Sequence, residues 1–131
     1  MATVLIVEDN RKVAKFYALA LERSGNFHCL VAESADQVLE QARAGKFDVA
    51  LVDVSLVHFT HQGRSIDGLE LSRLLKNDPA TRHIPIILAT AHAMEGDRER
   101  FLAASGADEY LQKPIYDPAV LVEKVNRVLA P

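Results

Sequence analysis

The stretch FDVALVDVSL, residues 47–56, decides the fold that we expect for this chain. Its four consecutive apolar residues, 49–52, predict a strand buried on both faces, as in a parallel sheet that helices cover on either side. The apolar run ends at Asp53, which places a carboxylate at the tip of a core strand. Because buried carboxylates are rare without a partner, Asp53 is the first candidate functional residue.

Apolar runs alternate with helical patterns along the whole chain. Further strands are predicted at residues 4–7, 27–32, 86–90 and 109–112, and helices at residues 11–23, 34–45, 68–77, 95–105 and from 118 onwards. Asn10 is the expected cap of the first helix, and Gly25 is expected just beyond its end. Five strands that alternate with five helices predict an α/β fold, in which a doubly wound parallel sheet carries helices on both faces.

The composition limits the class of protein. At 131 residues, with 49% hydrophobic and 25% charged residues, the chain has the size and balance of one globular domain. The net charge of -3 argues against nucleic-acid binding through a broad basic face, and no apolar run has the length of a membrane span or a signal sequence. Cys29 is the only cysteine, so no disulfide can form within the chain. We expect a cytoplasmic protein without a nucleic-acid or membrane partner.

Polar residues follow the predicted strands at the edge where open α/β sheets bind their ligands. They are Glu8, Asp9 and Asn10 after the first strand, Asp53 after the third, Thr90 after the fourth and Lys113 after the fifth. Three neighbouring carboxylates repel one another, and Mg²⁺, which takes oxygen ligands, relieves that repulsion. One carboxylate can then attack phosphorus as a nucleophile, while a lysine and a hydroxyl balance the charge of the phosphoryl oxygens. This edge therefore predicts a magnesium site that accepts a phosphoryl group.

Five motifs carry a resemblance to a known family. They are VLIVEDN, DVALVDVSL, IDGLEL, IILATA and DEYLQKPI, in this order and over nearly the whole chain. Together they resemble the receiver domain of bacterial two-component response regulators. The resemblance implies a flavodoxin-like sheet with strand order 2-1-3-4-5, in which the first and third strands are neighbours. Asp9 and Asp53 are then expected close together.

The resemblance also implies roles for the acidic residues. Asp53 matches the phosphoacceptor, which takes its phosphoryl group from a histidine kinase or a histidine phosphotransfer protein. Glu8 and Asp9 match the acidic pair that holds Mg²⁺ together with Asp53 and the backbone carbonyl of Ser55. The expected function is a signalling phosphoacceptor that catalyses only its own phosphorylation and dephosphorylation, rather than an enzyme that acts on other molecules.

The residues that convert phosphorylation into a signal are matched in the same way. Thr90 and Lys113 correspond to the hydroxyl and the lysine that contact the phosphoryl group, and Tyr110 to the aromatic ring that moves with the threonine. The Lys113–Pro114 bond is expected to be cis. His92 stands where the family varies the side chain that tunes access to the phosphorylation site. Phosphorylation is expected to reshape the face of the fourth helix, fifth strand and fifth helix, where a downstream partner binds.

One segment departs from the family pattern. Asp53 and Gly68 are 15 positions apart, which is longer than the usual loop, and the usual proline is absent. We therefore interpret residues 57–66 as an insertion within a single receiver domain, residues 1–131. The insertion lacks apolar periodicity, and only Val57, Phe59 and Ile66 could anchor it to the core, so we expect a surface excursion that is mobile at its tip. The segment also contains His58 and His61, which are spaced like metal ligands but are expected to be solvated, and Arg64, which is expected to face water.

Three other functions are compatible with parts of the pattern. A receiver fold could serve as a protein-interaction module without phosphorylation, although every key residue is present. An aspartyl phosphatase needs a second acid two residues after its nucleophile, where this chain has Ser55. A nucleotide-binding flavodoxin-like protein needs a loop rich in Gly, Ser or Thr after the first strand, where this chain has EDNRK. The chain ends at Pro131, directly after the last predicted helix, so both a free-standing receiver and part of a larger protein fit the sequence.

Overall fold

The computed structural model describes residues 1–91 and 94–130. Seven strands and five helices follow one another in this part of the chain: β1 (Thr3–Val7), α1 (Arg11–Gly25), β2 (His28–Val31), α2 (Ala35–Arg43), β3 (Val49–Asp53), β4 (Thr60–His61), β5 (Arg64–Ser65), α3 (Gly68–Asn77), β6 (Ile86–Thr90), α4 (Asp97–Ser105), β7 (Glu109–Gln112) and α5 (Pro118–Leu129). Five strands form a parallel sheet in the order β2-β1-β3-β6-β7. This is the predicted order, with β6 and β7 as the fourth and fifth predicted strands.

Helices cover both faces of the sheet. Side chains of α1 and α5, such as Leu21 and Leu121, pack with one face into a buried apolar cluster. Side chains of α2, α3 and α4, such as Val38, Leu71 and Phe101, form a second cluster with the other face. Every residue of β3 and β6 is buried, which explains why these strands read as continuous apolar runs. Each such aliphatic side chain contributes about 1.5–3 kcal/mol through burial.

The first helix ends later than the sequence predicted. The Asn10 side chain accepts hydrogen bonds from the amides of Lys12 and Val13, so the predicted N-cap is confirmed. At the other end Gly25 is still helical, and Asn26 adopts the left-handed conformation with φ of 57°. Asparagine tolerates that conformation, so it can end a helix in the place of glycine. Gly25 is needed for space instead, because a Cβ there would lie 2.7 Å from the ring of Phe27.

Residues 57–66 form a β-hairpin, which the sequence did not predict, and most of the segment is exposed, as expected of a surface excursion. β4 and β5 pair antiparallel, and Gln62 and Gly63 between them both have positive φ, as a tight two-residue hairpin turn requires. Phe59 and Ile66 flank the hairpin with only 2% and 3% of their surface exposed, and both belong to the cluster under α2, α3 and α4. Two of the three apolar residues that could anchor the segment therefore do so, although the segment has no periodic apolar pattern.

Glycines fix two junctions near the carboxyl edge of the sheet. A Cβ at Gly68 would lie 2.0 Å from the backbone oxygen of Asp53, so only glycine lets α3 begin directly against the end of β3. Gly96 adopts φ of 86° as the residue before α4, so this helix begins at Asp97 rather than at the predicted residue 95. In the part of the chain that the structure describes, no helix is long and apolar enough to cross a membrane.

Candidate functional site

Three carboxylates meet at the carboxyl edge of the sheet. Glu8 and Asp9 follow β1, Asp53 is the last residue of β3, and the parallel pairing of Val7 with Val52 sets these strand ends side by side. One oxygen from each of the three carboxylates lies within 4.8 Å of the others. Glu8 and Asp53 are buried, whereas Asp9 is partly exposed. The predicted acidic cluster therefore forms, and its all-oxygen donor set fits the ligand preference of Mg²⁺.

The surroundings of Asp53 make its negative charge costly. Burial, followed by the charge of Glu8, raises the pKa of the Asp53 carboxyl to about 6, against an ordinary value of 3.8. Two effects act in the opposite direction and lower the pKa of Asp53: the charge of Lys113, and a 3.3 Å hydrogen bond from the Ser55 amide to Asp53 Oδ1. Because one ammonium does not offset two buried carboxylates, the cluster can accommodate further positive charge.

Lys113 reaches into the acidic cluster from the end of β7. Its Nζ atom donates to Glu8 Oε1 at 2.9 Å and lies 3.6 Å from Asp53 Oδ1. Burial acts to lower the pKa of Lys113, but the hydrogen bond to Glu8 and the charge of Asp53 outweigh it and raise the pKa. The lysine is therefore a fixed positive charge beside both buried acids. The peptide bond between Lys113 and Pro114 is cis, as predicted.

Asp9 is held by the hairpin. Its Oδ2 atom accepts hydrogen bonds from the backbone amides of Val57 at 2.7 Å and His58 at 3.2 Å. Burial acts to raise the pKa of the Asp9 carboxyl, but these amide hydrogen bonds outweigh it, so the pKa is lowered. Sequence reasoning missed this contact, because nothing in the residue types of 57–58 indicates where their backbone amides point.

The two remaining switch candidates lie on β6 and β7. Thr90 is fully buried at the end of β6, one residue beyond Ala89, which pairs with Asp53 in the sheet. The backbone oxygen of Thr90 accepts a 2.8 Å hydrogen bond from the Lys113 amide. Tyr110 lies on β7 with its side chain buried in the cluster under α2, α3 and α4, where burial and then the charge of Asp97 raise its pKa. Thr90 thus sits at the acidic edge, and Tyr110 lies inward of it.

Comparison with known proteins identifies the family. A model of the response regulator receiver domain matches residues 4–126 of this chain. The chain belongs to the response regulator receiver family. Among curated relatives of this receiver, the polar-differentiation response regulator DivK of Brucella ovis is 37% identical over 116 residues, which cover 88% of this chain and 87% of that protein.

Solved structures share the fold over the full length of the receiver. A Chloroflexus aurantiacus J-10-fl protein, itself assigned to the response regulators, has 32% identity and a TM-score of 0.83, covering 99% of this chain and 98% of its own. The receiver domain of a sensor histidine kinase from Pseudomonas aeruginosa PAO1 has 29% identity and a TM-score of 0.79. The match covers 98% of this chain and 97% of that domain. That domain carries a magnesium ion coordinated in its active site cleft. The predicted family and fold are confirmed.

Receiver domains are signalling domains of two-component systems, in which they interact with histidine kinases and downstream partners. Two members of the acidic cluster, Glu8 and Asp9, line an open cleft of about 840 Å³ between α1 and the hairpin. Glu8 and Asp9 lie at the acidic end, Arg11 and Lys15 line the α1 side, and His58 lines the hairpin side. Through this cleft, solvent can reach Glu8 and Asp9 from the side of the sheet where β2 lies.

Two polar side chains of the hairpin pair with acidic residues of the neighbouring helices, and one of them is less solvated than the sequence suggested. Nδ1 of His61 lies 2.8 Å from Asp36 Oδ1 in α2, and the His61 side chain is only 19% exposed, so the expected solvated histidine is wrong at this position. Arg64 is exposed but pairs with Glu70 of α3 at 2.6 Å. Among the described residues, the only group of at least three His, Cys, Asp or Glu side chains placed to share a metal ion is Glu8, Asp9 and Asp53, so neither His58 nor His61 joins one. His92 lies outside the residues that the structure describes.

Proposed function

We propose that this receiver accepts a phosphoryl group on Asp53 and thereby switches the surface that a downstream partner binds. The observation that carries the proposal is the position of the Asp53 carboxylate, buried at the sheet edge between two further acids and the ammonium of Lys113. A carboxylate oxygen of Asp53 attacks the phosphorus of a phosphohistidine in a histidine kinase or phosphotransfer protein. The phosphorus–nitrogen bond breaks, its electron pair leaves with the histidine ring, and an aspartyl phosphate remains.

Magnesium fits the acidic cluster, and Glu8, Asp9, Asp53 and the Ser55 carbonyl are the residues proposed to hold it. When bound, the ion neutralises charge between the acids and the incoming phosphoryl group. The chain contributes the rest of the charge balance. Lys113 directs its ammonium toward Asp53, and the Ser55 amide orients the Asp53 carboxylate by donating to Oδ1.

Thr90 and Tyr110 are proposed to convert the new charge into a change of shape. The hydroxyl of Thr90 turns toward a phosphoryl oxygen and leaves space at the end of β6. Tyr110 repacks into that space, and the surface formed by α4, β7 and α5 changes with it. Phosphorylation in this account shifts the population between two packings rather than creating a new fold.

Two surfaces support the proposed partners. A groove of about 240 Å³ lies between α1 and the segment after β7, next to Lys113, with Phe16, Pro114 and Ile115 in its lining. It offers an apolar binding surface for a phosphodonor protein beside the acidic edge. On the α4–β7–α5 face, the buried carboxylate of Glu109 is surrounded by basic side chains at 3.4–3.5 Å, namely Arg98, Lys124 and Arg127. This charged face is the proposed contact for the downstream partner.

Phosphoryl uptake from acetyl phosphate tests the function without a partner protein. We expect uptake that requires Mg²⁺ and that falls at least about tenfold in Asp9→Asn, since an amide supplies no charge to the ion. The exposed Glu40→Gln on α2 serves as the charge-matched control and keeps normal uptake. A protein that binds partners but takes up no phosphoryl group with or without Mg²⁺ would instead be a constitutive interaction module.

A further inference from the structure

The hairpin, residues 57–66, connects α2 with the acidic cluster. At its tip, Nδ1 of His61 lies 2.8 Å from Asp36 Oδ1. The backbone amide of Gln62 lies 3.4 Å from Asp36 Oδ1 and 3.3 Å from Oδ2. One carboxylate on the first turn of α2 therefore binds His61, the last residue of β4, and Gln62, the first residue of the turn.

Apolar contacts fix the part of the hairpin that faces the core. Phe59 and Ile66 are buried on either side of β4 and β5, and the Ile66 amide donates to the Phe59 oxygen at 2.9 Å. The backbone directly before Phe59 is consequently held in a defined orientation. That backbone carries the amides of Val57 and His58.

Both of these amides donate to the same oxygen of Asp9. The Val57 and His58 nitrogens lie 2.7 Å and 3.2 Å from Oδ2. The two bonds restrict rotation of the carboxylate and leave the lone pairs of Oδ1 for another ligand. Partners that hydrogen-bond a metal-ligating carboxylate set its orientation, and their loss typically weakens metal binding about 10- to 100-fold.

We propose that Asp36 is a positioning residue for the magnesium site, acting through the hairpin to hold Asp9 in its ligating orientation. Asp36 binds the tip of the hairpin, the hairpin presents two amides at its base, and those amides orient Asp9. The inference rests on the proposed function, since it requires that Asp9 is a magnesium ligand. It adds a residue on α2, remote in sequence from every proposed ligand, to the determinants of metal affinity.

Magnesium titration of Asp36→Ala tests the inference directly, with binding followed by NMR chemical shifts of the amides around Asp53. We expect Mg²⁺ to bind about three- to tenfold more weakly. This effect is smaller than that of losing a direct hydrogen-bond partner of Asp9, because the Val57 and His58 amides are still present. Hydrogen exchange at the Val57 and His58 amides should accelerate in the same variant. Amides in the middle of α5, such as that of Val125, should keep their protection, which shows that the fold is intact.

Glu40→Ala is the matched control, because it removes another exposed acid of the same helix, for which no contact with the hairpin is seen among the described residues. It should bind Mg²⁺ like the unaltered protein and keep the Val57 and His58 amides protected. Unchanged Mg²⁺ affinity in Asp36→Ala, or equal weakening in Glu40→Ala, would overturn the inference while leaving the proposed function intact. Failure of the unaltered protein to bind Mg²⁺ at all would contradict the proposed function and this inference together.

Discussion

Lys113 places its Nζ atom 3.6 Å from Oδ1 of Asp53, although the strands that position them, β7 and β3, are separated by β6. The same ammonium donates to Glu8 at 2.9 Å, so one positive charge serves two buried acids. Burial, followed by the charge of Glu8, raises the pKa of Asp53 to about 6, because the single ammonium of Lys113 does not offset these two effects. The electrostatics of the acidic edge therefore favour the binding of a cation.

Removal of the lysine charge should raise the pKa of Asp53 further. In Lys113→Gln without metal, we expect the titration midpoint of Asp53 to rise by on the order of one pH unit, because the nearest positive charge is gone. Carbon-13 NMR of the aspartate carboxyl groups measures this midpoint. Lys12→Gln on α1 is the control and should leave it unchanged. An Asp53 midpoint that stays the same or falls in Lys113→Gln would contradict the electrostatic account.

The raised pKa of Asp53 also predicts how stability depends on pH in the absence of metal. Asp53 releases its proton near pH 4 in the unfolded chain but near pH 6 in the folded protein, so its favourable contribution is present below about pH 4 and is lost as the pH rises through about 6. Asp53→Asn cannot ionise and should therefore gain stability relative to the unaltered protein over this range, by about 1–2 kcal/mol at neutral pH.

Denaturant unfolding in a chelating buffer measures that difference at several pH values. Glu22→Gln, an exposed acid on α1, is the control and should show no such trend. A stability gain of Asp53→Asn that is independent of pH would indicate that the ionisation of Asp53 is not its cause.

Much of this architecture could be predicted from the sequence, because buried parallel strands leave unbroken apolar runs such as 49–52 and the polar residues after them share one edge. Helix boundaries were less certain, since Asn26 and Gly96 end or begin helices through left-handed backbone conformations that residue type only suggests. The hairpin itself was not predicted, because its docking depends on Phe59, Ile66 and backbone amides rather than on a periodic pattern. The roles of Asp53, Thr90 and Lys113, and the interpretation of residues 57–66 as an insertion, stay predictions.

Phe59 should contribute strongly to stability, because it anchors the hairpin to the core. Phe59→Ala removes a side chain that is 2% exposed, so we expect a loss of about 3–5 kcal/mol in the free energy of unfolding. Val57→Ala, two residues earlier and 63% exposed, should cost less than about 0.5 kcal/mol. Thermal and urea unfolding of both variants measure the difference. Equal and small effects would mean that the hairpin does not dock on the core.

Thr90 should be needed for switching rather than for phosphorylation. In Thr90→Ala we expect Asp53 to be phosphorylated at a rate within about threefold of normal, because the hydroxyl is not the nucleophile. The response of Tyr110 should be lost, which fluorine NMR of fluorotyrosine-labelled protein can follow because the chain has only 3 tyrosines. Thr90→Ser keeps the hydroxyl and should retain the response. A normal Tyr110 response in Thr90→Ala would refute the proposed coupling.

Mapping the phosphorylated residue tests the central claim most directly. The protein is incubated with acetyl phosphate and Mg²⁺, the acyl phosphate is reduced with borohydride, and the modified residue is located by mass spectrometry of its peptides. The account predicts modification of Asp53 alone, and none in Asp53→Asn, because Asp53 is the proposed nucleophile, placed between two further acids and the ammonium of Lys113. Modification of Glu8 or Asp9 instead, or undiminished modification of Asp53→Asn, would contradict it.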